Sequence, residues 1–119
     1  MNDFSLITLL TGSIFFLAGV VLMMLPPSRI NSLYGYRTPA SMRNPETWKE
    51  ANRYSARLML ITGIVLLILA AGFLSKPIVK AGIFLGLGCV ILTATLLIIS
   101  TELHLRRVFD RDGKRREKN

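Results

Sequence analysis

The sequence predicts an all-α membrane protein whose single membrane domain, residues 1–119, contains three transmembrane helices. Three apolar runs, residues 5–25, 58–74 and 81–100, contain no charged side chain. As helices they would measure about 32, 26 and 30 Å, which suits a hydrocarbon core of about 30 Å. The chain is 51% hydrophobic yet carries a formal net charge of +8, and apolar spans joined by basic segments explain both properties. Transmembrane strands would alternate polar and apolar residues, and the apolar runs do not.

The first run is predicted to be a retained span rather than a cleaved signal peptide. Asn2 and Asp3 stand where a secretory signal needs basic residues. The apolar stretch is also longer than a signal core, and no small-residue cleavage pattern follows it.

The distribution of Lys and Arg predicts the orientation of the chain. The first connection, residues 26–57, carries six of these residues, the second connection carries two, and the tail, residues 101–119, carries seven. Because cationic loops stay in the cytoplasm, the N-terminus is expected outside and the tail inside. The tail is expected to attract anionic lipids. It has one aromatic residue for stacking bases, so we expect no nucleic-acid partner.

Small residues recur at helical spacing along all three runs, where they would let helix backbones approach closely. They serve either packing within one three-helix bundle or contact between copies in a homo-oligomer, and the sequence leaves both alternatives open. The residues are Ser5, Thr8, Gly12 and Gly19, then Ala56, Gly63 and Ala70, then Gly82, Gly86, Cys89 and Thr93.

The first connection has its own local structure. Pro26 and Pro27 should end the first helix, whereas Asn44-Pro45-Glu46 has the pattern of a helix start, with Asn44 as the cap. A helix from Pro45 is amphipathic, and we expect it to lie in the interface before the second span, with Trp48 at headgroup depth. Its apolar face would carry Trp48, Asn52, Ser55 and Met59.

The sequence contains no recognisable catalytic or metal-binding set. Cys89 lies alone in the middle of a span, and His104 is the only histidine, with Glu102 as its nearest acidic neighbour. A zinc site needs three or four ligands, so we expect no metal and no cofactor, and we favour a role other than catalysis.

A candidate ligand site lies in the first connection. Arg37 sits between turn residues and aromatic rings, where a guanidinium can bind a carboxylate or phosphate through paired hydrogen bonds. The aromatic residues could instead form an interfacial belt, and Asn44 could be only a cap. The candidate residues are Tyr34, Tyr36, Arg37, Asn44, Trp48 and Asn52.

The connection resembles the signature of the SdpI family of bacterial integral membrane proteins. The matching residues are Asn31, Tyr34-Gly35-Tyr36-Arg37-Thr38-Pro39, Ser41, Asn44, Trp48 and Ala51-Asn52. The resemblance implies a short, single-unit member in the bacterial cytoplasmic (inner) membrane, with immunity to, or sensing of, a membrane-active toxin peptide. Two alternatives use the same cytoplasmic face: an enzyme or a binder of lipid headgroups or small molecules, and an adaptor that recruits a cytoplasmic regulator.

Overall fold

The computed structural model describes residues 2–76 and 80–116 and shows three α-helices. Helix α1 spans Asp3–Met24, α2 spans Pro45–Gly72 and α3 spans Gly82–Val108. All three are long and apolar enough to cross a membrane. In the described residues, β pairing is limited to one bridge between Phe109 and Arg115. The predicted all-α membrane fold is therefore confirmed.

The expected short interfacial helix before the second span is not supported, because residues 45–72 form one continuous helix. Residues 46–62 contain no proline or glycine that would interrupt it. Trp48 is only 1% exposed, so its ring packs inside the protein. The predicted start is confirmed: Asn44 caps the helix, and Thr47 completes a capping box with it.

The small residues serve packing within the chain. Helices α1 and α2 form the most extensive interface. A Cβ atom added at Gly63 would lie 2.6 Å from the backbone nitrogen of Phe16, and one added at Gly19 would lie 2.9 Å from the carbonyl oxygen of Ala56. Gly86 of α3 lies against Ile7 of α1. Close approach of the helix backbones therefore requires these glycines.

Hydrogen bonds tie the elements together at both ends of the bundle. At one end the Asn2 side chain caps α1 and donates to the carbonyl oxygen of Phe73, 2.6 Å away. At the other end the Asn44 amide donates to the carbonyl oxygen of Gly113 at 2.7 Å. The loop of residues 26–44, called the polar loop below, and the C-terminal tail therefore share one end.

Candidate functional site

Trp48 and Asn52 hold the polar loop against α2. The indole Nε1 of Trp48 donates to the carbonyl oxygen of Pro27 at 2.8 Å. The side-chain oxygen of Asn52 accepts from the backbone N–H of Tyr36 at 2.6 Å, and its amide nitrogen donates to the carbonyl oxygen of Trp48 at 2.9 Å. Asn52 is 3% exposed, so both halves of its amide are used inside the protein.

Gly35 lets the loop pass close to these two side chains. Its φ angle is +111°, which residues with a Cβ atom rarely adopt. A Cβ atom there would lie 2.6 Å from Oδ1 of Asn52 and 3.1 Å from Cη2 of Trp48. Gly35 therefore allows the backbone of the polar loop to turn here and to lie against Asn52 and Trp48.

Tyr36 connects the polar loop to α3. Its hydroxyl donates to Oε1 of Glu102 at 2.7 Å. Burial raises the pKa of Tyr36, and the hydrogen bond to Glu102 and the charge of that carboxylate raise it further.

The next turn is closed by Ser41, whose hydroxyl accepts from the backbone N–H of Thr38 at 2.8 Å and donates to the carbonyl oxygen of Tyr36 at 3.0 Å.

Asn44 has two structural roles. Its side-chain oxygen accepts from the backbone N–H of Thr47 at 2.9 Å, and its amide nitrogen binds the tail at Gly113. Four of the six candidate residues, Tyr36, Asn44, Trp48 and Asn52, thus hold the polar loop to α2, α3 and the tail.

The remaining two candidates lie on the surface of the loop. The hydroxyl of Tyr34 donates to the carbonyl oxygen of Leu25 at 3.0 Å. Arg37 is exposed, and in the described part of the chain its guanidinium makes no hydrogen bond or ion pair with other residues.

Tyr34, Tyr36 and Arg37 line one side of a groove of about 570 Å³ between the three helices, called the lateral groove below. Its other walls are mostly apolar and include Leu17, Val21, Leu22, Met59, Leu97 and Ile98. The lateral groove therefore places Arg37, which has no ion-pair partner among the described residues, beside an apolar surface.

A buried charge cluster was missed by the sequence interpretation. The Glu50 side chain is 9% exposed and lies 2.7 Å from the guanidinium of Arg53. On its other side, Nε2 of His104 lies 2.8 Å from Oε1 of Glu50, and Arg115 of the tail approaches to 3.9 Å. The ring of Tyr54 stacks on His104 with 4.0 Å between centroids. This cluster joins α2, α3 and the tail.

The electrostatics of the cluster favour an ionised Glu50. Burial raises its pKa, but hydrogen bonds from His104 and Arg53, together with their charges, outweigh burial and hold the pKa below its usual value. The spacing of Glu50 and Arg53 at i and i+3 was visible in the sequence, whereas the pairing with His104 depends on how α2 and α3 pack.

Glu102 and His104 do not form a pair. Glu102 binds the hydroxyl of Tyr36, and His104 binds Glu50. Within residues 2–76 and 80–116, no three His, Cys, Asp or Glu side chains come together as metal ligands would.

The fold and the loop define a small integral membrane protein of three helices, with a polar loop folded onto one end of the bundle. The chain belongs to the SdpI/YfhL protein family, whose model matches residues 28–101 and so includes the polar loop from Ser28 onward, α2 and most of α3. It is 42% identical to the "Uncharacterized protein YfhL" of Bacillus subtilis (strain 168) over 90 residues, which cover 76% of this chain and 71% of that protein. No solved structure matches the chain.

Proposed function

We propose that this protein binds a membrane-active amphipathic peptide and thereby gives the cell immunity to that peptide or senses its presence. The observation that carries the proposal is the lateral groove, in which apolar walls on all three helices lie beside Arg37, whose guanidinium makes no hydrogen bond or ion pair with the described residues. Membership of the SdpI/YfhL family supports the same function.

The lateral groove suits an occupant that is already in the bilayer. Leu17 and Val21 of α1, Met59 of α2 and Ile98 of α3 offer an apolar surface at the side of the bundle. A peptide helix or strand could therefore enter from the lipid without exposing its apolar residues to water.

Arg37 would bind the charged end of such a peptide. A guanidinium donates two parallel hydrogen bonds to one carboxylate, whether of a peptide C-terminus or of an acidic side chain. Since Trp48 and Asn52 already fix the polar loop, little loop ordering would remain to oppose binding. Tyr34 and Tyr36 would add aromatic contact.

The test is Arg37→Lys, which keeps the positive charge but removes the forked donors. We expect survival of cells challenged with the membrane-active peptide to fall to near that of cells lacking the protein, and photo-crosslinking of the peptide to Met59 to be lost. Insertion and abundance should not change, because the charge distribution is the same.

Arg29→Lys is the matched control, since Arg29 is exposed on the same loop and lies outside the lateral groove. It should behave as the parent does. If Arg37→Lys also retains resistance and crosslinking, Arg37 acts only as a topological charge and the proposal is wrong. A copurifying lipid crosslinked in place of the peptide would equally contradict it.

We further propose that the protein lies in the bacterial cytoplasmic membrane with its N-terminus outside and its polar loop and tail in the cytoplasm. Thirteen Lys and Arg residues belong to the first connection and the tail, against two in the second connection. In a Cys89→Ala background, Lys80→Cys should react with an impermeant maleimide in intact cells, whereas Lys114→Cys should react only after lysis. The reverse pattern would refute this orientation.

A further inference from the structure

A second cavity lies at the loop end of the bundle and shares no lining residue with the lateral groove. Its volume is about 740 Å³, and it is enclosed by the polar loop, the first turn of α2, the end of α3 and the tail. We call it the basic cavity, because four arginines line it: Arg43, Arg106, Arg111 and Arg116.

The tail folds back over this cavity in a fixed conformation. The backbone N–H of Asp110 donates to the carbonyl oxygen of Lys114 at 2.8 Å, and that of Arg116 donates to the carbonyl oxygen of Val108 at 2.7 Å. Phe109, 3% exposed, packs against Ala51 and Leu105. The backbone that carries the tail arginines is therefore folded beside the cavity, although their side chains are exposed.

The charges of the basic cavity do not cancel. Two carboxylates also line it, but both accept hydrogen bonds from within the protein: Glu102 from Tyr36, and Asp110 from the backbone N–H groups of Asp112 and Lys114. Across the residues that the structure describes, the guanidinium groups of Arg106 and Arg111 make no hydrogen bond or ion pair.

The other two arginines are only partly used. Arg43 reaches the carbonyl oxygen of Asp110 at 3.4 Å, which is a long hydrogen bond. Arg116 donates through Nε to the carbonyl oxygens of Arg106 and Phe109, and its two terminal nitrogens make no hydrogen bond to residues 2–76 or 80–116. The basic cavity thus offers several guanidinium donors, and among the described residues none of them forms an ion pair with Glu102 or Asp110.

We propose that the basic cavity binds a ligand carrying a phosphate group, either the headgroup of an anionic lipid or a soluble phosphorylated molecule. Guanidinium groups bind phosphate oxygens through paired hydrogen bonds, and basic pockets beside transmembrane helices suit phosphate headgroups. Ala40, Leu105 and Phe109 would contact the uncharged part of the ligand. This site is separate from the peptide site, because the hydrogen bond from Tyr36 to Glu102 lies between the two cavities.

The experiment uses the full chain, delipidated in a neutral detergent. Native mass spectrometry would follow binding of phosphatidylglycerol and, as the neutral comparison, of phosphatidylcholine; calorimetry would follow inorganic pyrophosphate. Arg106→Gln and Arg111→Gln should each weaken binding by about tenfold, the size expected when one charged hydrogen-bonding group is lost. Arg107→Gln removes the same charge at the adjacent position outside the cavity and should change binding by less than about twofold, as a screened surface charge does.

Each result decides the proposal. Selective binding of phosphatidylglycerol that depends on Arg106 identifies a lipid headgroup, and binding of pyrophosphate with the same dependence identifies a soluble phosphate compound. Phosphatidylglycerol binding no tighter than phosphatidylcholine, with no pyrophosphate binding, overturns the proposal. So does an equal loss in Arg107→Gln, which would mean diffuse surface charge. If Arg106→Gln does not fold, Arg111→Gln on the exposed tail supplies the same comparison.

Discussion

Gly63→Leu is expected to separate α1 from α2 and to cause the largest loss of stability of any single substitution considered for this protein. Even a Cβ atom at position 63 would lie 2.6 Å from the nitrogen and 2.9 Å from the Cα of Phe16, and 2.9 Å from the carbonyl oxygen of Gly12. These are backbone atoms of α1, which cannot move aside without moving the helix. We expect the free energy of unfolding to fall by at least about 3 kcal/mol.

The measurement is unfolding in sodium dodecyl sulfate, followed by the fluorescence of Trp48, the single tryptophan of the chain. Gly88→Leu is the control, because Gly88 lies within the third span and a Cβ atom there would meet nothing within 4 Å. It should leave the midpoint nearly unchanged. A Gly63→Leu protein with the midpoint of the parent would mean that the two helices do not pack through this glycine.

Features that depend on local spacing could be predicted from the sequence. The small-residue stripes of α1 and α2 repeat at helical spacing, and the structure confirms that they pack against each other within the chain. The cap at Asn44 was equally predictable, because capping needs only the residues of the first helical turn. The family was also predictable, since its signature lies within one short segment, residues 31–52.

Features that depend on tertiary packing could not be predicted in this way. The contacts of Trp48 are an example, because the polar loop covers its ring and its N–H donates to the carbonyl oxygen of Pro27, 21 residues away. The tail was expected only to attract anionic lipids, because nothing in its sequence shows that Asn44 would bind Gly113, 69 residues away.

The candidate site likewise combines features that local sequence predicts with contacts that depend on tertiary packing. Tyr36 and Asn52 form bonds that hold the polar loop in place, and those bonds join parts of the chain that are distant in sequence. Arg37 was selected because it lies among turn residues and rings, and that local argument placed a cation in the loop but did not predict the lateral groove. The role of Arg37 in binding therefore stays a prediction.

Glu50→Gln is expected to weaken the attachment of α3 and the tail to α2, by roughly 2 kcal/mol of unfolding free energy at neutral pH. The carboxylate of Glu50 faces Arg53 on its own helix, His104 on α3 and Arg115 on the tail. Glutamine keeps the size of the side chain and one acceptor oxygen but removes the negative charge. Arg53, Arg115 and, when protonated, His104 would then repel one another with no anion between them.

The pH dependence of the unfolding free energy shows whether the loss of stability in Glu50→Gln comes from the missing charge. Because the pKa of Glu50 in the folded protein is held below its usual value of 4.5, the stability that its charge contributes is fully present above pH 4.5. That contribution is lost as the pH falls through the lower, folded-state pKa. The part of the difference in unfolding free energy between parent and Glu50→Gln that comes from ionisation of Glu50 should therefore be fully present above pH 4.5 and shrink toward zero in strong acid.

Glu46→Gln is the matched control on the same helix, since Glu46 is exposed in the first turn, outside the cluster. It should cost less than about 1 kcal/mol, as expected for a charge that meets only the positive end of the helix. A difference between parent and Glu50→Gln that stayed the same down to strong acid would assign the loss to packing. If Glu46→Gln and Glu50→Gln lowered the unfolding free energy equally, the contact of Glu50 with His104 would contribute no more than removal of one negative charge from the helix. The predicted pattern, a loss specific to Glu50 that acid removes, requires the carboxylate to connect the two helices and the tail.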